Sequence, residues 1–233
     1  MTYREWEKFS QHIMESDSVQ SDLGAFKKNM QAQEGIDAEY YLNLKQRFSH
    51  APDSVKEAYS KYVPKDLIID GQYEGVAYYD ISTGNLHMHY GYDSRNPRGV
   101  GATWFHEMGH VIDRFAGWPS HSEDFHNALW DDYLENVFRK YYNKSNKDAY
   151  LEISRRLKNM REHSAVSDLF DGLSNKKIRG VAEHDKNYWT GFALQEEAFA
   201  HMYECLSDRI RYKQMKEYFP TALKYFEDML KRI

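Results

Sequence analysis

From Tyr3 to about Tyr62 apolar side chains recur at spacings of three and four, as in Trp6, Phe9 and Ile13 and again in Tyr40, Tyr41, Leu44 and Phe48. That period predicts packing helices, punctuated at Pro52 and Pro64, where proline ends one helix or opens the next. After Pro64 the pattern shifts to short β-forming runs, Leu67-Ile68-Ile69, Val76-Ala77-Tyr78-Tyr79 and Leu86-His87-Met88-His89-Tyr90. They predict a small sheet of about three strands with a hairpin. Residues 92–101 read as a loop, and helical spacing returns at Thr103. Beyond Gly117-Trp118-Pro119, two long helical patterns over 123–142 and 147–163 precede a polar stretch, 164–187, expected to be a functional loop. The last helices are expected at about 191–211 and from Thr221 onward. The predicted fold is α+β and mostly helical, with the sheet beside the helix that starts at Thr103. Residues 1–63 are expected to pack as a helical region on a core domain of 64–233, one compact unit in all.

Composition narrows the function classes. The chain is 41% hydrophobic and 15% aromatic, ample for a core, and its net charge of −5 offers no basic stripe for phosphates, so no nucleic-acid partner is expected. No apolar run approaches the ~18 residues of a membrane span, and the charged start has no signal-peptide pattern. A cytoplasmic or virion-associated protein without a membrane partner is the expectation. With Cys205 as the single cysteine no intrachain disulfide can form, and any metal site must be built from nitrogen and oxygen.

Such a site is written at His106-Glu107-Met108-Gly109-His110. On a helix the His-Glu-x-x-His spacing turns two imidazoles the same way and sets a carboxylate beside them, which is the pattern of a zinc hydrolase. Asp113 shares their stripe, while Phe105, Met108, Val111, Ile112 and Phe115 gather opposite it to pack. A third ligand at Asp113 would have to converge over roughly 10 Å of helix axis at 1.5 Å per residue, too far for short side chains. Asp113 is therefore expected to orient a histidine through its other ring nitrogen. Gly109 costs roughly 1 kcal/mol in a helix interior, which points to a close approach by another backbone or a ligand. His87 and His89 share one face of their strand and are expected to line a cleft or meet solvent. His121, His126 and His163 stand singly and are expected to be structural or solvated.

A catalytic zinc takes three protein ligands and leaves one position to water. Downstream, in Gln195-Glu196-Glu197-Ala198-Phe199-Ala200-His201-Met202-Tyr203, the helical phase favours Glu197 over Glu196 as the inward carboxylate. His201 lies one turn further on the same face, expected near the metal without binding it. These two stretches together, with Phe115-Ala116-Gly117, resemble the zinc peptidase domain of anthrax lethal factor and its relatives. The resemblance implies Glu197 as third ligand, and a tyrosine upstream of it, for which Tyr188 is the nearest candidate, as donor to the oxyanion. His201 stands where that family has a second glutamate. A longer stretch, Ser167 to Asn175, Lys177 to Gly180, His184, Tyr188-Trp189 and Tyr218-Phe219-Pro220, resembles the zincin domains found with phage minor head proteins of low-GC Gram-positive bacteria.

The resulting expectation is a zincin-like metallopeptidase with one Zn2+ held by His106, His110 and Glu197, and with Glu107 as general base on a peptide or protein substrate. The substrate is expected along an exposed edge of the Leu86–Tyr90 strand. The alternatives are a phage structural protein, or part of a larger phage assembly, that has the fold and no turnover, or a toxin module.

Overall fold

The computed structural model describes residues 36, 38–185 and 187–233, so the helical expectations at Trp6, Phe9 and Ile13 lie outside the described residues. The first two helices, α1 (Ala38–His50) and α2 (Asp53–Tyr62), are separated by Pro52. Tyr40, Leu44 and Phe48 of α1 bury one face at spacings of four. The three short strands are β1 (Ile69–Asp70), β2 (Tyr78–Asp80) and β3 (Asn85–His87), in the order β1-β3-β2. β1 runs parallel to β3 with Ile69 opposite Leu86, and β2 runs antiparallel to it with Tyr79 opposite the same residue. The fold is thus α+β, mostly helical, with a small mixed sheet.

Two expectations about this region change. β3 is the central strand, so both of its sides are paired and it offers no edge to a peptide; the outer strands are β1 and β2. It also stops at His87, because Tyr90 opens a single helical turn, α3 (Tyr90–Asp93), which the β-formers Met88 and Tyr90 had disguised.

The remaining helices are α4 (Ala102–Phe115), α5 (Glu123–Leu134), α6 (Asn146–Arg156), α7 (Met160–Leu173), α8 (Ala193–Leu206), α9 (Arg209–Tyr218) and α10 (Pro220–Arg232). The Ser122, Ser145, Asn159 and Asp208 side chains accept first-turn amides at α5, α6, α7 and α9, the usual way to satisfy groups that have no partner within a helix. α7 corrects the loop expected from residue 164. Its Ser164, Ser167, Asp168 and Asp171 look like loop residues in sequence, yet all are buried and partnered by distant parts of the chain. The helical pattern expected over 147–163 likewise divides at 157–159, between α6 and α7.

One continuous core runs from Tyr40 to Leu230 and includes the apolar faces of α4, α8 and α10. Phe105, Met108, Val111 and Ile112 lie in it as their phase requires, whereas Phe115, at the end of α4, is exposed. Among the described residues no helix is long and apolar enough to cross a membrane.

Candidate metal centre

α4 is fixed at both ends by carboxylates. Gly101, at φ 78°, turns the chain into the helix, and Asp93 accepts the amides of Thr103 (2.9 Å) and Trp104 (3.1 Å) together with the Tyr40 hydroxyl (2.7 Å). An acid at that end also answers the positive pole of the helix. At the other end Asp113 accepts the amide (3.0 Å) and hydroxyl (2.5 Å) of Ser120. Its carboxylate therefore ties down the turn after α4 and does not orient a histidine, as its stripe had suggested. Burial pushes its carboxyl up to about 6, against the two bonds from Ser120.

Gly109 explains how the two halves of the site meet. A Cβ built there would lie 2.6 Å from the Ala200 Cα, so only glycine lets the backbones of α4 and α8 come this close. The close approach expected at Gly109 is that of a second helix.

Across this contact His106 Nε2 lies 3.2 Å from Glu197 Oε2, and His110 Nε2 lies 3.6 Å from Glu197 Oε1. Glu196 turns away, with His121 Nε2 at 2.8 Å from its Oε1. His121 in turn stacks on Phe192, with centroids 3.9 Å apart. The neighbouring acids thus have separate partners, as their difference in helical phase requires.

His201 comes closer than expected. One ligand atom from each of His106, Glu197 and His201 falls within 4.8 Å of the others, and so does one from each of Asp168, His184 and Glu197. His201 Nε2 is 3.0 Å from Asp168 Oδ2, and its Nδ1 is 3.6 Å from Glu204 Oε2. Tyr188 donates its hydroxyl to Glu197 Oε1 and stacks on the His184 ring at 3.8 Å. His87 and His89 lie elsewhere, beside Asp70 and Glu74.

Three members of this site were given no role from the sequence, although Asp168 and His184 lie in the stretch that resembles the phage zincin domains. Asp168 and His184 face each other across an irregular connection that leaves no periodic trace. Glu204 was legible: with Glu197 and His201 it completes an i, i+4, i+7 stripe on α8. Fully buried, it pairs with equally buried Arg211 at 3.0 Å and lies 4.0 Å from His106 Nδ1. It takes the place beside a histidine ring that the sequence had suggested for Asp113.

The electrostatics divide the site. Burial, with the neighbouring His201, brings His106 down to about 4, and burial lowers His110 as well. Burial works against ionisation of Glu197, but the His106, His110 and His184 rings beside it prevail and hold it well below the usual carboxylate range. Neutral imidazoles and an ionised carboxylate are the forms that bind a metal. Burial and then the Glu197 charge push Glu107 up to about 8. Burial opposes charge on His184 too, but the Asp168 and Glu197 carboxylates beside it prevail and raise it to about 10.

The chain matches no family model, no curated protein and no solved structure among those compared with it.

Proposed function

We propose that this protein is a zinc-dependent peptidase in which His106, His110 and Glu197 hold the metal and Glu107 is the general base. The observation that carries this reading is the meeting of the His-Glu-x-x-His helix with Glu197 of α8, at 3.2 and 3.6 Å from the two ring nitrogens. Separations of this size suit ligands that each lie about 2.0–2.2 Å from one ion. Glu197 Oε2, buried without a hydrogen bond, further supports a ligand in this place. When bound, zinc supplies a Lewis acid and an acidified water. The protein's own groups do the rest. Glu107 is buried beside the ligands, where in its ionised form, favoured once a bound cation would offset the Glu197 charge, its carboxylate takes a proton and passes it to the leaving amine. Tyr188, whose hydroxyl stays protonated because burial and the Glu197 charge raise its pKa, is the donor proposed for the oxyanion. The likeness to lethal factor's peptidase domain supports the same roles.

The peptide's place moves with the sheet order. β2 is an outer strand, and it lies against α4: Arg114 donates to the Ile81 carbonyl just past its end at 2.6 Å. We propose that an extended substrate pairs with β2. The deciding experiment is Glu107→Gln, which removes the base and keeps the ligands. Zinc content and fold should stay as in the wild type while cleavage of a peptide library falls by two or more orders of magnitude. Loss of zinc, or unchanged turnover, would remove the assignment.

A further inference from the structure

Beside the ligands just described, four side chains from three separate elements form a ring of alternating oxygen and nitrogen. Asp168 Oδ2 of α7 lies 3.3 Å from His184 Nε2, which lies 3.8 Å from Glu197 Oε2 of α8. The Glu197 atom lies 3.9 Å from His201 Nε2, which returns to Asp168 Oδ2 at 3.0 Å. Asp168 and Glu197 are themselves close, within the 4.8 Å that one atom each of Asp168, His184 and Glu197 spans. A tetrahedral ion with bonds of about 2.1 Å separates its ligand atoms by about 3.4 Å. The four sides of the ring, 3.0–3.9 Å, bracket that spacing.

We propose that these four residues bind a second divalent cation, with Glu197 bridging it to the zinc of the peptidase reading. The proposal rests on that reading through the shared Glu197 and goes beyond it in the number of ions and in three further ligands. Glu197 Oε2 faces three imidazoles yet makes no hydrogen bond, although the side chain is only 3% exposed. A bridging carboxylate gives that atom a partner. The ring is also held from outside. Tyr188 stacks on His184, Lys176 Nζ donates to the His184 carbonyl and pairs with Asp171 at 2.9 Å, and Glu204 faces His201 Nδ1. Partners of this kind fix ligand orientation before a metal arrives. Charge favours it as well, since Asp168 and Glu197 are both buried here, while the buried Arg211 is paired with Glu204. Two imidazoles with two carboxylates suit zinc or cobalt more than magnesium or calcium, and the one-third exposure of the His184 side chain gives the ion a way in.

The test counts ions. The full chain is saturated with Zn2+, freed of excess, and its metal measured by mass spectrometry. The wild type should hold two ions, and Asp168→Asn and His184→Ala should hold one. One ion in the wild type, unchanged in both variants, would overturn the proposal. His106→Ala separates the two ideas: it should also drop to one ion, and if it keeps two while Asp168→Asn keeps one, the peptidase reading fails and the second site stands. Cobalt titration of the wild type needs no variant to fold. The electron paramagnetic resonance signal should grow up to one equivalent and be attenuated by magnetic coupling up to two. A signal that saturates at one equivalent would overturn the proposal.

Discussion

Glu197 and Glu196 are adjacent and chemically identical, so the difference between them is purely one of direction. Glu196 is committed to His121 on the rim, whereas Glu197 is buried among His106, His110 and His184. Glu197→Ala should therefore weaken zinc binding by about 100-fold or more, and Glu196→Ala by no more than a few-fold, in competition with a chelator. The reverse order would mean that the wrong acid has been assigned. Asp113 carries a prediction of a different kind. Its folded pKa of about 6 lies above that of an ordinary carboxyl, so the folded chain favours the protonated acid. The resulting cost is absent below about pH 4, grows as pH rises to about 6, and is constant above. In Asp113→Asn the amide can still accept from the Ser120 N–H and donate to its hydroxyl. Relative to wild type, the variant should gain on the order of 2 kcal/mol between pH 4 and pH 7 in denaturant titrations. A difference independent of pH would show that Asp113 does not ionise as described.

At the scale of the element, the approach of α4 to α8 sets the spacing of His106 and His110 from Glu197. Gly109→Ala would place a methyl 2.6 Å from the Ala200 Cα and 3.2 Å from its Cβ, forcing the helices apart. Overpacking of about 1–3 kcal/mol should exceed the ~1 kcal/mol by which alanine favours a helix, and the melting temperature should fall by several degrees. A neutral or stabilising result would mean that the helices are not held this close. The same pair shows what a sequence can and cannot reveal. The His-Glu-x-x-His stripe, the glycine within it and the inward phase of Glu197 were legible because each is a local consequence of 3.6 residues per turn. α7 was not, because its serines and aspartates are held by partners remote in sequence: Arg211 for Ser164, His184 and His201 for Asp168, Trp189 for Asp171. Sheet order escaped for a related reason, since a hairpin fixes which strands pair but not which side a third strand joins.

For the whole molecule, a metal bound by α4 and α8 joins segments about ninety residues apart in the chain, so its binding should favour the folded state as a unit. A ligand at 100 times its dissociation constant adds about 2.7 kcal/mol to folding. Cys205 provides the reporter. It is the chain's single thiol, fully buried on α8 just beyond Glu204, and burial pushes it up to about 12. The reactive thiolate is therefore scarce in the folded state, and a disulfide reagent must wait for the chain to open. Where opening and closing are fast relative to labelling, the rate tracks the open population. Zinc at 100 times its dissociation constant should then slow labelling of Cys205 by about 100-fold, and a chelator should reverse the effect. Glu197→Ala should label at one rate with or without zinc, whereas Glu196→Ala should behave as wild type. Rapid labelling of the zinc-loaded wild type would contradict the burial of Cys205, and a rate indifferent to zinc in wild type would show that the metal does not join the two helices.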